Sequence, residues 1–182
     1  MSGAWIFICG PSGVGKDSVI ASAQQTMRER RDIVFSRRLV TRPAQTGSDH
    51  DPVNETDFLG LMHTGGLSWH WKAHGFYYGI AQRYAADVQA GRLVVVNGSR
   101  AHVHQLAPSA NVRVVHITAD PVHLAERLKL RGRDADSAVA QRLARNSLFD
   151  GLKAECVIAN DSSVGVAGQQ LADYLTGPDP MR

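Results

Sequence analysis

The apolar positions of the chain are gathered into short continuous runs rather than an alternating pattern. Three runs are pronounced, Trp5–Cys9, Leu93–Val96 and Val112–Ile117, and Cys156–Ala159 is a shorter one. Runs of this length without alternation are typical of strands buried on both faces, as in a parallel sheet. Ile33–Phe35 predicts one more strand, nearer the sheet edge.

Segments with helical character lie between these runs. The stretch from Lys16 to Arg30 places four apolar residues on one side of a helix: Val19, Ile20, Ala23 and Met27. Asp120 is a favourable cap for a helix over Pro121–Leu130, and two more helices are predicted, at Ser137–Phe149 and Val164–Leu175. Strands that alternate with helices predict an α/β fold with a short parallel sheet flanked by helices.

The segment from about residue 42 to 84 departs from this alternation. It is rich in glycine, histidine and aromatic residues and shows no sustained periodicity. We therefore expect a small insertion in the sheet scaffold. The chain has 182 residues, so residues 1–182 are predicted to form one domain.

The charge of the chain fits small anionic substrates as well as it fits nucleic acid, and the placement of the cations separates the two. Its 20 basic and 17 acidic residues give a net charge of +3. The cations are spread out and are not interleaved with aromatic residues, so nucleic acid is not expected as a partner. No apolar stretch approaches the roughly 20 residues that span a membrane. Cys9 and Cys156 lie in apolar runs and predict buried, reduced thiols, hence a cytoplasmic location.

A glycine-rich turn between the first strand and the first helix matches the phosphate-binding pattern G-x-x-x-x-G-K in full. Its residues are Gly10, Pro11, Ser12, Gly13, Val14, Gly15 and Lys16. Glycines let backbone N–H groups turn towards phosphate oxygens, and the helix N-terminus adds positive potential. A P-loop NTPase fold that binds ATP is predicted, with Lys16 at the β- and γ-phosphates as a catalytic residue.

Position 17 departs from the pattern, which has Ser or Thr after the lysine. Asp17 stands there, and its carboxylate is a suitable ligand for Mg²⁺ beside nucleotide phosphates. A carboxylate in the first turn of a helix is also stabilised by the helix dipole, so a purely structural role is the alternative. Ser18 is expected to contact the α-phosphate through its hydroxyl group.

Arginines cluster beyond the helix predicted at Pro121–Leu130. Arg131 and Arg133 lie in "RLKLRGRD", and Arg142 lies on the next predicted helix. Arginines of this kind can close over a transferring phosphoryl group, neutralise its oxygens and exclude water. We predict a lid at about 131–137 with these three arginines as catalytic residues; a solvated cationic helix is the alternative.

The glycine-rich loop, "TRP", "HGFYYG" and the arginine cluster together resemble the guanylate-kinase-like P-loop family, over residues 5 to about 161. The resemblance implies an acceptor-binding insertion and an arginine-rich lid. That family binds guanine through a Glu and an Asp, where this chain has Lys72 and Asn97, and a phosphate-binding arginine corresponds to Gln45. Lysine has no hydrogen-bond acceptor for the guanine N–H edge, so these departures indicate an acceptor without guanine.

Two further segments, "GKDS" and "NGSRAH", resemble the branch of this family that acts on ribose 1,5-bisphosphate in phosphonate catabolism. The resemblance implies transfer of the ATP γ-phosphoryl group to the 1-phosphate, giving 5-phosphoribosyl 1-diphosphate. A phosphate acceptor is already nucleophilic, so positioning and cations suffice. The expected acceptor-binding residues are Arg42, Lys72, His74, Tyr78, Asn97, Ser99 and Arg100. Because Asn97 stands where related kinases keep a carboxylate, we expect Asp17 to replace it in holding Mg²⁺.

Other functions are left open by the residues themselves. The chain could be a guanylate kinase, or a sugar kinase of gluconate type with Asp49 or Asp51 as base. It could also be a non-catalytic guanylate-kinase-like binding module, although such modules typically lose the intact phosphate loop seen here. A homodimer is possible. His102 and His104 are two residues apart, and we expect them on solvated helix faces.

Overall fold

A computed structural model describes residues 3–44, 49–106, 109, 111–124 and 153–177. Five of the described strands form one parallel sheet in the order β2-β7-β1-β8-β9. Their bounds are β1 Ala4–Cys9, β2 Ile33–Phe35, β7 Leu93–Asn97, β8 Val112–Thr118 and β9 Cys156–Ala159. The predicted α/β sheet is confirmed, and Ile33–Phe35 is an edge strand, as β9 is at the opposite end.

The parallel sheet is covered by hydrophobic core on both faces, which explains the continuous apolar runs. On one face, Ile6 and Ile8 pack with residues of helices α1, Lys16–Thr26, and α5, Val164–Thr176. On the other face, Trp5, Phe7 and Cys9 pack towards a second sheet. The first strand is therefore buried along its whole length.

The second sheet has the strand order β4-β3-β6-β5, in which only β3 and β4 pair in parallel. Its bounds are β3 Arg38–Val40, β4 His50–Pro52, β5 Leu67–Ala73 and β6 Phe76–Ala81. Three short helices lie in or after it: α2 Glu55–His63, α3 Arg83–Gln89 and α4 Arg100–His104. The sheet includes β3, which precedes the predicted start of the insertion at residue 42.

Several element boundaries differ from the sequence predictions. Helix α1 ends at Thr26 rather than at Arg30, whose N–H instead donates to the Met27 carbonyl in a turn. Residues 121–124 are helical, and the rest of that predicted helix and the helix at 137–149 lie outside the described residues. Among the residues that are described, no helix is long and apolar enough to cross a membrane.

The two cysteines differ in burial. Both are free thiols, and Cys9 is fully buried in β1, where burial raises the pKa of its thiol to about 12. Cys156 is only half-buried, which corrects the prediction that both are buried, because β9 is the outer strand of the sheet.

Candidate active site

The glycine-rich loop leads from β1 into α1 in a conformation that requires its glycines. Gly13 and Gly15 have φ angles of 85° and 90°, which side chains with a Cβ rarely adopt. A Cβ on Gly10 would collide with the carbonyl oxygen of Ile117. A hydrogen bond from another part of the chain also holds the loop. The buried Asn160, at the end of β9, donates from Nδ2 to the Val14 carbonyl at 2.8 Å.

Lys16 begins helix α1 and folds over the loop. Its Nζ donates to the carbonyl oxygens of Gly10, at 2.9 Å, and Pro11, at 3.2 Å. Burial lowers the pKa of Lys16 to about 8; Arg38 and Arg100 act in the same direction, and Asp17 opposes them. The ammonium group is therefore a partly desolvated cation, which an added phosphate charge would stabilise.

Asp17 connects the loop to both sheets. Its Oδ1 accepts hydrogen bonds from Asn97 Nδ2 at 2.7 Å and from Arg38 Nη2 at 3.1 Å. The structure thus brings together Asp17 and Asn97, which are 80 residues apart in the chain, and adds Arg38 from β3. Asp17 Oδ2 has no hydrogen bond to a described residue.

The residues around Asp17 fit a magnesium ion bound to a nucleotide. Mg²⁺ usually takes one or two carboxylates and completes its coordination with phosphate oxygens and water. Oδ2 of Asp17 is a carboxylate oxygen of this kind, and it lies beside the phosphate loop. No cluster of three or more His, Cys, Asp or Glu residues occurs within the described part of the chain, so an all-protein cage is not formed there.

A cavity of about 590 Å³ opens between the loop and the second sheet. Its described lining includes Gly10, Ser12, Lys16, Gly98, Ser99, Arg100 and Ala101 on one side, and Arg38, Trp71, Lys72, Ala73, His74 and Tyr78 on the other. None of these residues is acidic, and three of them are cations, Lys16, Arg38 and Arg100, besides Lys72, whose ammonium group lies over the Tyr77 ring. The cavity therefore suits a ligand with more than one anionic group.

An aromatic stack forms part of the cavity wall. The rings of Trp71 and Tyr78 are nearly parallel, with centroids 5.6 Å apart, and His102 stacks on Trp71 at 4.9 Å. Burial lowers the pKa of His102 to about 4, and the nearby His70 adds to this effect. The expectation that His102 lies on a solvated helix face is therefore wrong, because α4 turns this side chain towards the second sheet.

The predicted acceptor residues lie in different places. Five of them line the cavity: Lys72, His74, Tyr78, Ser99 and Arg100. Asn97 is not part of the described lining and donates from Nδ2 to Asp17 instead. The Lys72 ammonium group lies 4.7 Å from the centre of the Tyr77 ring. The Lys72 side chain therefore projects from one face of β5, and Trp71, which stacks on Tyr78, projects from the opposite face. Arg42 is not part of the described lining; its guanidinium lies 5.9 Å from the centre of the Phe76 ring.

Two residues that the sequence did not single out belong to the site, Arg38 and Asn160. Arg38 follows Arg37 in "SRRLV", and only the fold shows that the first arginine meets Asp49 and Asp51 while the second meets Asp17. No sequence signal marks Asn160. Its neighbour in space, the phosphate loop, is more than 140 residues away in the chain. The predicted arginines Arg131, Arg133 and Arg142 lie outside the described residues.

The turn between β5 and β6 presents His74 to the cavity. His74 and Gly75 have φ angles of 50° and 80°, as the two central residues of a tight hairpin turn of the primed type. Histidine is one of the few residues with a side chain that occupies this region with some frequency. The turn thus fixes the position of the imidazole at the cavity.

Comparisons with known proteins give the family and the fold. A family model described as an AAA domain matches residues 6–148. The ribose 1,5-bisphosphate phosphokinase PhnN of Pseudofrankia inefficax is 42% identical over 93% of this chain and 88% of its own, and that of Acidiphilium cryptum is 39% identical over 96% and 93%. A guanylate kinase structure from Anaplasma phagocytophilum has the same fold, with a TM-score of 0.67 and 18% identity over 96% of this chain and 85% of its own.

Proposed function

The chain belongs to the ribose 1,5-bisphosphate phosphokinase family, within the AAA domain family, and we propose that it phosphorylates the 1-phosphate of ribose 1,5-bisphosphate with ATP. The product is 5-phosphoribosyl 1-diphosphate. The observation that supports this acceptor best is the cavity itself. Its described lining combines several cations with no carboxylate.

This lining fits a bisphosphate better than the alternatives. A carboxylate can accept hydrogen bonds from the N–H edge of guanine, and a sugar hydroxyl requires a carboxylate base to take its proton. No carboxylate is present among the described lining residues. Asp49 and Asp51, the candidate bases for a sugar kinase, are bound to Arg37 instead.

The proposed reaction is a direct displacement between two phosphates. An oxygen of the acceptor 1-phosphate forms the new bond to Pγ while the bond from Pγ to the β,γ-bridging oxygen breaks, and ADP leaves. The backbone of Gly10–Lys16 holds the donor phosphates, and Lys16 stabilises the charge on the transferring group. Because the nucleophile is an ionised phosphate, no residue has to act as a base.

We assign supporting roles to residues around this centre. Asp17 would hold Mg²⁺ through Oδ2, and the ion would supply charge neutralisation at the phosphates. The residues that would contact the acceptor are Arg100, Ser99, His74 and Tyr78. The transferring group would be covered by Arg131, Arg133 and Arg142. A cytoplasmic location is supported by the free thiols of Cys9 and Cys156; the homodimer stays a prediction.

An acceptor screen tests the proposal. The protein is incubated with ATP and magnesium and with ribose 1,5-bisphosphate, GMP or gluconate, and phosphorus NMR identifies the product. We expect a diphosphate at C1 of ribose, and kcat/KM for ribose 1,5-bisphosphate at least about 100-fold above that for GMP, since unpaired polar groups of the wrong substrate are strongly rejected. Turnover of GMP or gluconate without turnover of the bisphosphate would contradict the proposal.

The role of Asp17 at the metal needs its own variant. Asp17→Ser restores the hydroxyl group of the common loop pattern and removes the carboxylate. We expect a higher magnesium concentration for half-maximal activity. An unchanged magnesium dependence would remove Asp17 from the metal site.

A further inference from the structure

Arg38 is a buried cation in the wall of the cavity. It lies on β3, and its side chain is only 12% exposed although it lines the cavity. Its guanidinium carbon is 6.0 Å from the centre of the Tyr78 ring, which also faces the cavity. Both features place the guanidinium in the cavity wall beside Tyr78.

The arginine is held firmly but is poorly neutralised. Its Nη2 donates to Asp17 Oδ1, and the same oxygen accepts from Asn97. Arg38 Nε is buried and has no hydrogen-bond partner among the described residues. A buried guanidinium with one shared carboxylate oxygen is a site at which a bound anion restores charge balance.

The position of Asp17 decides which anion this is. Its Oδ1 accepts a hydrogen bond from Nη2 and so occupies the edge of the guanidinium that faces helix α1 and the loop. A phosphate therefore reaches Arg38 from the part of the cavity away from α1. The reacting phosphate has to lie beside the loop, where the donor phosphates bind, so it is the other end of the acceptor that fits Arg38.

We propose that Arg38 binds the phosphate of the acceptor that does not react, the 5-phosphate, and that Asp17 and Asn97 position it. This inference rests on the proposed function. An anchor of this kind contacts the substrate equally in the ground state and the transition state, so it sets KM and leaves kcat nearly unchanged. It also selects a doubly phosphorylated sugar over a monophosphate.

Binding of the two monophosphates tests the inference without requiring turnover. Trp71 lines the cavity, so its fluorescence is used to measure Kd for ribose 5-phosphate and ribose 1-phosphate in the wild type and in Arg38→Ala. We expect Kd for ribose 5-phosphate to rise about 10- to 150-fold, the range for a lost hydrogen bond to a charged group. Kd for ribose 1-phosphate should change less than about threefold, within the scatter of surface substitutions.

Arg37→Ala is the matched control. It removes the same charge one residue away, from a guanidinium that binds Asp49 and Asp51 outside the described cavity lining. Both affinities should stay unchanged. Arg38→Lys keeps the charge but loses the planar donor pair, so its Kd for ribose 5-phosphate should be intermediate.

Several outcomes would overturn the inference. These are an equal loss of both affinities, a loss for ribose 1-phosphate alone, no loss in Arg38→Ala, or no binding of ribose 5-phosphate to the wild type. Failure of the proposed function shows separately, as absence of ribose 1,5-bisphosphate turnover by the wild type in the acceptor screen. For an active wild type, the steady-state parameters of Arg38→Ala add a check: a fall in kcat with unchanged KM also contradicts an anchoring role.

Discussion

Replacement of Lys16 by methionine is expected to abolish phosphoryl transfer and yet to stabilise the fold at neutral pH. The pKa of Lys16 is about 8 against an ordinary value of 10.5, because of burial. This difference corresponds to a penalty of about 3 kcal/mol for holding the charged amine in the folded protein. Methionine has a similar shape and carries no charge.

Part of that gain is offset by lost hydrogen bonds. Lys16 donates to the Gly10 and Pro11 carbonyls, and each bond contributes about 1 kcal/mol. We therefore expect Lys16→Met to raise the free energy of unfolding by about 1 kcal/mol at pH 7.

The sign of this difference should reverse in alkali. Between pH 8 and 10.5 the unfolded state still carries the Lys16 proton while the folded state has released it, so the stability of the wild type rises with pH. The rise is about 1.4 kcal/mol for each pH unit above 8. At pH 9.5 the wild type should be the more stable protein, by about 1 kcal/mol.

Urea unfolding at pH 7, 8, 9 and 9.5 measures the difference between the two proteins. Groups that titrate in both cancel, and Lys153→Met controls for the loss of one charge at an exposed position. A difference between the wild type and Lys16→Met that does not vary with pH would refute the reasoning. So would a difference that moves further in favour of the variant as pH rises.

Three more predictions follow from the loop and its supporting helix. ATP binding at pH 8.5 should take up about three-quarters of a proton, because phosphate charge raises the pKa of Lys16 from about 8. Calorimetry in buffers of different ionisation enthalpy measures this uptake. Asn160→Ala should lower the free energy of unfolding by about 1–3 kcal/mol and weaken ATP binding, as seen in urea unfolding and equilibrium titration, because a buried loop carbonyl loses its donor. Gly168→Ala should destabilise by about 1–3 kcal/mol, since its Cβ would lie 2.5 Å from Ser22 Cβ. Gly165→Ala in the same helix would make only an ordinary contact, 3.8 Å from Ser163 Oγ, and should be neutral or stabilising in thermal unfolding.

The sequence predicted the parallel sheet well because its strands are buried on both faces. A strand such as β1 has apolar residues at every position, and this signal is local. The strands β3 and β4 have three residues each and include Arg38, His50 and Asp51. They form because they pair with each other and with β6, and no local pattern carries that information.

The residues of the site were likewise predictable only where their signal is local in the sequence. The glycine-rich loop is recognisable because its backbone conformation demands glycine at fixed spacing. Arg38 and Asn160 act through partners 21 and 146 residues away, so their importance appears only when the chain is folded. The same holds for His102, whose stacking on Trp71 depends on how α4 faces the second sheet.

The hydrogen bonds of the Asp17 carboxylate constrain which substitutions this site can accept during evolution. Because its Oδ1 serves Arg38 and Asn97 together, loss of Asp17 leaves a buried cation without its counter-charge, and loss of Arg38 leaves a carboxylate facing an anionic ligand. A single change at any of the three positions is therefore disfavoured until the others follow. Positions 17, 38 and 97 should covary among relatives, and the joint presence of Asp, Arg and Asn there should mark chains that share this acceptor.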